Sequence, residues 1–143
     1  MPDRYISMRI PRLTVDGVII SDGKLLLIRR GNPPFKDAWA LPGGFVDYGE
    51  TVEVAVRREV KEETGLTTSI QQLVGVYSDP HRDPRGHTVS VVFLLAVKSG
   101  TPEGGDDAVE AGWFSLDELP ELAFDHAKII NDALALHHGM QTG

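Results

Sequence analysis

One segment constrains the fold more than any other, because residues 51–64 predict an amphipathic helix whose buried face also carries carboxylates. Thr51 is a suitable N-cap, and Gly65 stands where a C-terminal glycine cap belongs. At about 100° per residue, the apolar side chains of the first two turns share one arc with three glutamates. The residues on this arc are Val52, Ala55, Val56, Glu59, Glu62 and Glu63.

Three carboxylates on one helix face need a compensating partner. They repel one another, and they lie towards the C-terminal end of the helix, where the helix dipole disfavours negative charge. A helix end that projects into solvent explains one such glutamate better than three. Hard divalent cations take oxygen ligands, and Mg²⁺ is the usual one beside phosphates, although Mn²⁺ also fits. The neighbouring Arg58 is either a surface side chain or the partner of an orienting ion pair with Glu50.

The rest of the chain predicts strands on both sides of this helix. Strands are predicted at residues 12–20, 24–30, 38–41, 45–46, 70–78, 88–97 and 110–114, with a helical turn at 115–119 and a closing helix at 125–137. Gly and Pro clusters separate them, and no linker divides the chain. This order predicts a single layered domain over residues 1–143, of the α+β or α/β class, with a mixed sheet.

Composition narrows the classes of function. The chain has no cysteine, which excludes disulfides, thiolate zinc sites and a cysteine nucleophile. Its net charge of -7 is unfavourable for binding a nucleic-acid backbone through bulk charge. No apolar run approaches the roughly 20 residues of a membrane helix, and residues 1–9 lack the apolar core of a signal peptide. We therefore expect a cytoplasmic protein with neither a nucleic-acid nor a membrane partner.

The helix and the loop before it resemble a known family motif, the Nudix box. Gly44 is followed after five residues by Glu50, and seven residues later by a run that completes the match at every defining position. That run is Arg58-Glu59-Val60-Lys61-Glu62-Glu63-Thr64-Gly65-Leu66. The resemblance implies the Nudix fold, an α/β/α sandwich with a mixed β-sheet between helices, in which the box forms a loop, a helix and a loop.

The same resemblance implies a chemistry. In this family the carboxylates matching Glu59 and Glu63, usually with the one matching Glu62, hold divalent ions, and a carbonyl at the position of Gly43 often joins them. The ions neutralise a diphosphate and activate the attacking water. The implied reaction is Mg²⁺-dependent hydrolysis of a nucleoside diphosphate linked to another moiety. Glu50 and Arg58 are expected to support the geometry of this catalytic group, to which Glu62 also belongs.

Three further segments are similar to ADP-ribose pyrophosphatases, namely residues 35–44, 77–88 and 106–126. They imply that the substrate is ADP-ribose and that the products are AMP and ribose 5-phosphate. Two alternatives stay open: a diphosphatase that removes non-standard nucleoside triphosphates such as 8-oxo-dGTP, and a non-catalytic ADP-ribose sensor. Sensors of that kind carry an added DNA-binding domain. Homodimers are common in the resembled group, so a homodimer is a further expectation.

Several residues outside the box are candidates for proton transfer or for binding substrate phosphates. Glu110 is either the general base or a charge on an edge strand, and Asp106 and Asp107 are its rivals on the preceding loop. Arg82 and Arg85 either bind a terminal phosphate or ribose, or belong to a solvated turn.

Another group of candidates concerns stacking and packing near the box. Phe35 is a candidate for stacking on a base, and Trp39 is expected to pack. Arg30, with Arg29, ends a strand pointing towards the site, and one of the two is a candidate for contact with a phosphate. Three histidines lack metal-ligand spacing and are predicted to lie at the surface or at helix ends. They are His126, His137 and His138.

Overall fold

The computed structural model describes residues 9–101 and 108–142. Its elements are β1 (Arg12–Ser21), β2 (Lys24–Arg30), β3 (Trp39–Ala40), β4 (Gly43–Phe45), α1 (Val52–Thr64), β5 (Thr67–Tyr77), β6 (Thr88–Ser99), β7 (Ala108–Ser115) and α2 (His126–Thr142). The predicted order of strands and helices is confirmed. Asp106 and Asp107, the rivals of Glu110, lie outside the described residues.

The strands form one mixed sheet in the order β3-β2-β1-β6-β5, with β4 added to β1 and β7 to β2. β1 runs parallel to β6, from Arg12 opposite Thr88 to Ile19 opposite Leu95. The other pairings are antiparallel. β1 therefore lies at the centre, with β4 beside its first half and β2 joined to its end by the turn at Asp22-Gly23.

Both faces of this sheet are covered by a helix, which explains why residues 15–19 are buried without alternation. On one face Val15 and Ile19 pack with Val56 and Val60 of α1. On the other face Val18 packs in a cluster with α2 and β2. The members from β2 and α2 are Leu25, Leu27, Ile129, Ile130 and Ala133. Each buried Val, Leu or Ile side chain contributes about 1.5–3 kcal/mol on burial, so the helix, sheet and helix form three tightly joined layers.

The caps of α1 are as the sequence predicts. The Thr51 hydroxyl accepts a hydrogen bond from the Val54 N–H at 3.1 Å. Gly65 has the left-handed conformation, with φ of 80°, and its N–H donates to the Lys61 carbonyl. The carboxylate of Glu63 is buried with the apolar residues of the helix. The sequence prediction of a helix with carboxylates on its buried side is therefore confirmed.

Element ends differ from the prediction in two places. β5 begins at Thr67, and not at residue 70, because the left-handed Gly65 turns the chain straight into the sheet, where Thr67 pairs with Ser99. The last helix continues past residue 137 to Thr142, since a single Gly139 costs a helix only about 1 kcal/mol. Neither of the helices in the described ranges combines the length and the hydropathy that a membrane crossing requires.

Candidate functional site

A cavity of about 630 Å³ brings together residues that are far apart in the sequence. The loop that we call the box loop, residues 43–51, forms one wall together with α1. β1, β2, the loop 79–87 and the start of α2 supply the others. The predicted residues that line it are Gly43, Glu59, Glu62, Glu63, Arg30, Arg82 and Arg85. Three carboxylates without an assigned role, Asp16, Asp47 and Asp83, line it as well.

Two box glutamates are held in place by the box loop. Glu63 is only 7% exposed, and its Oε1 accepts a hydrogen bond from the Gly43 N–H at 2.7 Å. A Cβ at Gly44 would collide with the Glu59 carboxylate, so glycine is required for this close approach. Burial raises the pKa of Glu59, and the hydrogen bond from Arg58 opposes that rise without reversing it. The third, Glu62, is more exposed.

Arg58 ties the box loop to α1. Its Nε and Nη2 donate to Glu50 at 2.6 and 2.9 Å, and its Nη1 donates to Glu59 at 2.9 Å. Its Nη2 also donates to the Phe45 carbonyl at 3.1 Å. The hydrogen bond from Arg58 lowers the pKa of Glu50 from 4.5 to about 2, and Glu50 in turn raises the pKa of Arg58. The ion pair expected between Arg58 and Glu50 is therefore present.

The carboxylates of the cavity are candidate ligands for a divalent metal ion. Within residues 9–101 and 108–142, no three His, Asp or Glu side chains already converge on one point. Glu63 is turned towards the Gly43 N–H, and Glu59 towards Arg58. The donors nevertheless fit an oxygen-ligated divalent ion, because they are carboxylates in one cavity. Burial opposes the charge of Glu59, and a nearby cation would favour it.

The two arginines of the loop 79–87 differ in what they contact. The Arg82 side chain is 5% exposed, and it donates to Asp125 at 2.9 and 2.7 Å and to Thr88 at 2.9 Å. It therefore fastens the loop to the start of α2. Arg85 is 45% exposed and pairs with Asp83. Burial acts to raise the pKa of Asp83, but the hydrogen bonds from Arg85 outweigh it, and that pKa lies below its usual value.

Strand geometry separates Arg30 from Glu110. Neighbouring residues of a strand point to opposite faces, so Arg30 lines the cavity while Arg29 does not. Glu110 stands opposite Arg29 across β2 and β7, and accepts a hydrogen bond from its Nε at 2.7 Å. The structure therefore brings Arg30, but not Glu110, to the cavity. A catalytic role for Glu110 stays a prediction.

The aromatic candidates lie at the edge of the site. Phe35 is 43% exposed and packs edge-on against Phe124, with ring centroids 4.9 Å apart. Phe124 lines the cavity, and Arg30 lies 4.9 Å above its ring. Trp39 packs against Phe114 at 4.6 Å, so its predicted packing role is confirmed.

His126 is the first residue of α2, so its predicted helix-end position is confirmed, but the side chain is buried and not at the surface. Its ring is 4% exposed, lies in the cavity wall, and accepts a hydrogen bond from the Leu41 N–H on Nδ1 at 3.0 Å. Burial lowers the pKa of His126, which favours the neutral ring. Its Nε2 lies 3.8 Å from Oδ1 of Asp16, whose Oδ2 accepts a hydrogen bond from the Ser90 hydroxyl. An aspartate inside the apolar run of β1 was a usable signal in the sequence, whereas His126 gave none.

Comparison with known proteins identifies the family. The NUDIX domain matches residues 11–133. The chain is 58% identical over 129 residues to an ADP-ribose pyrophosphatase of Methanocaldococcus jannaschii, covering 90% of this chain and 76% of that protein. It is 34% identical over 134 residues to the ADPR responsive transcriptional repressor NtrR of Acinetobacter baylyi, covering 87% of this chain but only 54% of the repressor.

The fold comparison agrees. The NUDIX domain of Shewanella oneidensis NrtR, solved in complex with ADP ribose, superposes with a TM-score of 0.82 at 28% identity, over 94% of this chain and 97% of that one. The fold is thus an α+β sandwich that presents an acidic helix to a cavity. The chain belongs to the NUDIX domain family.

Proposed function

We propose that this protein is a hydrolase that cleaves the diphosphate of ADP-ribose to AMP and ribose 5-phosphate. The observation that carries the proposal is that Glu59, Glu62 and Glu63 line one cavity, which Arg30 and Arg85 also line. Carboxylates that hold a divalent ion, facing guanidinium groups, suit a diphosphate. The similarity to a pyrophosphatase of ADP-ribose, at 58% identity, supports the substrate.

The expected cofactor is Mg²⁺, with Mn²⁺ as the alternative. Glu59, Glu62 and Glu63 would hold it, together with the carbonyl of Gly43. When bound, it supplies neutralisation of the diphosphate charge and a more acidic water.

The protein side chains have distinct tasks in this proposal. Arg58 fixes Glu50 and Glu59, so that the box loop and α1 keep one geometry during turnover. Arg85 is the more accessible guanidinium of its loop, and we assign it to a substrate phosphate. Arg82 keeps that loop in place through Asp125 and shapes the wall of the binding cavity.

The remaining tasks are removal of a proton from the attacking water and binding of the nucleoside. We propose that a carboxylate of the cavity accepts this proton. Glu62 is the first candidate, because it is the most exposed of the box glutamates. Glu110 is its rival, and comparison of Glu62→Gln with Glu110→Gln separates the two. Arg30 and the ring pair of Phe35 and Phe124 form the side of the cavity that we assign to the nucleoside.

A sensor that binds ADP-ribose without cleaving it is the second candidate. The observation in its favour is the similarity to an ADPR responsive repressor and to a NUDIX domain crystallised with ADP ribose.

We further propose a single-domain, cytoplasmic homodimer that binds a nucleotide but no nucleic acid or membrane. β5 is an edge strand with exposed Leu73 and Val76, which offers an interface for a second copy. Sedimentation of the wild type and of a Leu73→Lys variant tests the dimer.

Hydrolysis of a substrate panel with Mg²⁺ tests the proposal. The panel holds ADP-ribose, NADH, diadenosine polyphosphates, GTP and 8-oxo-dGTP. Glu63→Gln removes a box carboxylate, and Glu53→Gln on the exposed side of the same helix is the matched control. Preferential hydrolysis of ADP-ribose that is lost in Glu63→Gln but kept in Glu53→Gln supports the proposal. Preferential hydrolysis of 8-oxo-dGTP would instead assign the protein to the triphosphate diphosphatases. Tight binding of ADP-ribose without turnover would assign it to the sensors.

A further inference from the structure

In the cavity wall, the Nε2–H of His126 is a hydrogen-bond donor with a fixed direction. The ring is 4% exposed, and the Leu41 N–H donates to its Nδ1 at 3.0 Å. A neutral imidazole has one acceptor nitrogen and one donor nitrogen, so the proton stands on Nε2. Among the residues that the structure describes, no acceptor lies within hydrogen-bond distance of Nε2. Because His126 lines the cavity, this donor can be satisfied by a ligand or by water there.

Oδ1 of Asp16 lies 3.8 Å from Nε2. This gap is too long for a direct hydrogen bond. The other carboxylate oxygen of Asp16 is already engaged, because it accepts from the Ser90 hydroxyl. Nε2–H and Oδ1 therefore form a donor and an acceptor, side by side, in the wall of the same cavity.

The chemistry of the pair excludes two classes of ligand. A phosphate oxygen would accept from His126 but would be repelled by the Asp16 carboxylate. A metal ion would need a lone pair on the imidazole, whereas Nδ1 is used by Leu41 and Nε2 carries the proton. A hydroxyl satisfies both atoms, since it accepts from Nε2–H and donates to Oδ1, at about 2.8–3.0 Å from each.

The position of the pair connects it to the reaction centre. A Cβ added to Gly43 would collide with Asp16, so the two residues are in direct contact. The N–H of the same Gly43 donates to Glu63. A hydroxyl bound between Asp16 and His126 is thus close to the carboxylates assigned to the diphosphate.

We propose that Asp16 and His126 form a subsite for a sugar hydroxyl of the substrate, contributed by one of the two riboses of ADP-ribose. This inference rests on the proposed function, which it deepens by naming a residue pair that selects the substrate. A buried polar pair that is built to bind a hydroxyl rejects analogues without it, because both groups are then left unpaired. The subsite makes the sugar, and not only the diphosphate, a determinant of specificity.

Four ligands and two variants test the subsite. The ligands are ADP-ribose and three analogues, which lack the 2-hydroxyl of the adenosine ribose, or the 2- or the 3-hydroxyl of the terminal ribose. His126→Asn keeps an acceptor for the Leu41 N–H but has no atom at the Nε2 position. Asp16→Asn keeps an acceptor for Ser90 and replaces Oδ1 by a donor. His81→Asn, on the exposed loop, is the matched control, and thermal unfolding shows that each variant folds.

In the wild type, we expect one analogue to lose about fivefold to tenfold in kcat/KM, the size of one neutral hydrogen bond. His126→Asn and Asp16→Asn should show a similar loss on ADP-ribose and no further loss on that analogue. The analogue that is affected identifies the ribose. If kcat/KM falls by the same factor on every analogue, in the wild type and in the variants alike, the pair holds only a water molecule. That result would overturn the inference.

The test also separates this inference from the proposed function. If the wild type does not hydrolyse ADP-ribose, the hydrolase proposal fails, and the same ligands are titrated calorimetrically with EDTA present. The subsite is then supported on its own if loss of the hydroxyl raises Kd in the wild type but not in His126→Asn. Absence of coupling, or of any binding of ADP-ribose, overturns it.

Discussion

Replacing Arg58 with methionine tests whether its guanidinium holds the box loop on α1. Methionine keeps the aliphatic stem and helix propensity but removes hydrogen bonds to Glu50, Glu59 and the Phe45 carbonyl. The Arg58 side chain is 25% exposed, which places its ion pairs between two known limits. Exposed pairs are worth about 0–1 kcal/mol, and loss of one partner of a buried pair costs about 3–5 kcal/mol.

We therefore expect Arg58→Met to lower the free energy of unfolding by about 2–3 kcal/mol, which corresponds to roughly 5–10 °C in Tm for a domain of this size. Urea and thermal unfolding at pH 7 with EDTA measure the change. Arg57→Met is the matched control, because Arg57 is the exposed neighbour on the same helix. Equal midpoints for the two variants would refute the view that Arg58 fastens the loop.

The pH dependence of the free energy of unfolding provides a second test with the same variant. The pKa of Glu50 falls from 4.5 to about 2 in the folded protein. A lowered carboxylate pKa stabilises the folded state above the ordinary pKa, and this contribution is lost as the pH falls towards the lowered value. The gap in stability between wild type and Arg58→Met should thus narrow between about pH 4.5 and 2. A gap that stays constant over this window would assign the loss to packing.

Three further changes test neighbouring parts of the site. Glu59→Gln should raise Tm at pH 7 with EDTA, because burial raises the pKa of Glu59 and its charge then opposes folding; the gain should vanish in scans below its ordinary pKa of 4.5. Gly44→Ala should lower kcat more than tenfold, since the methyl group displaces the Glu59 carboxylate; steady-state kinetics measure this, with Gly139→Ala as a control in open space. Arg82→Lys should cost roughly 2 kcal/mol in urea unfolding through loss of the paired bonds to Asp125.

The sequence predicted the elements well wherever periodicity and caps acted locally. Thr51 and Gly65 mark the ends of α1 because their hydrogen bonds involve only neighbours in the chain. The mixed sheet followed from the order of the elements. The start of β5 at Thr67 was missed, because a left-handed glycine cap lets a strand begin at once, and no pattern of side chains records this.

The acidic set of the site was predictable for the same reason. Glu59, Glu62 and Glu63 share a face with the apolar residues of α1, and helical periodicity alone places them together. Contacts across the sheet were harder. His126 is far from Asp16 in the sequence, and the two meet only because α2 packs beneath β1. Neither composition nor residue spacing predicts a contact between two residues so far apart in the sequence.

Glu110 illustrates a limit of a different kind, set by one-residue alternation in a strand. Arg29 and Arg30 were equally good candidates from the sequence, and alternation along β2 decides that Arg30 lines the cavity. The register of β2 with β7 then decides the face on which Glu110 lies. That register places Glu110 beside Arg29, on the face away from the cavity. A shift of β7 by one residue against β2 would turn Glu110 to the other face of the sheet and bring its carboxylate to the site. If Glu110→Gln nevertheless lowers kcat strongly while Glu62→Gln does not, β7 must rearrange during turnover to bring Glu110 to the cavity, and hydrogen exchange at β7 with and without ADP-ribose would detect it.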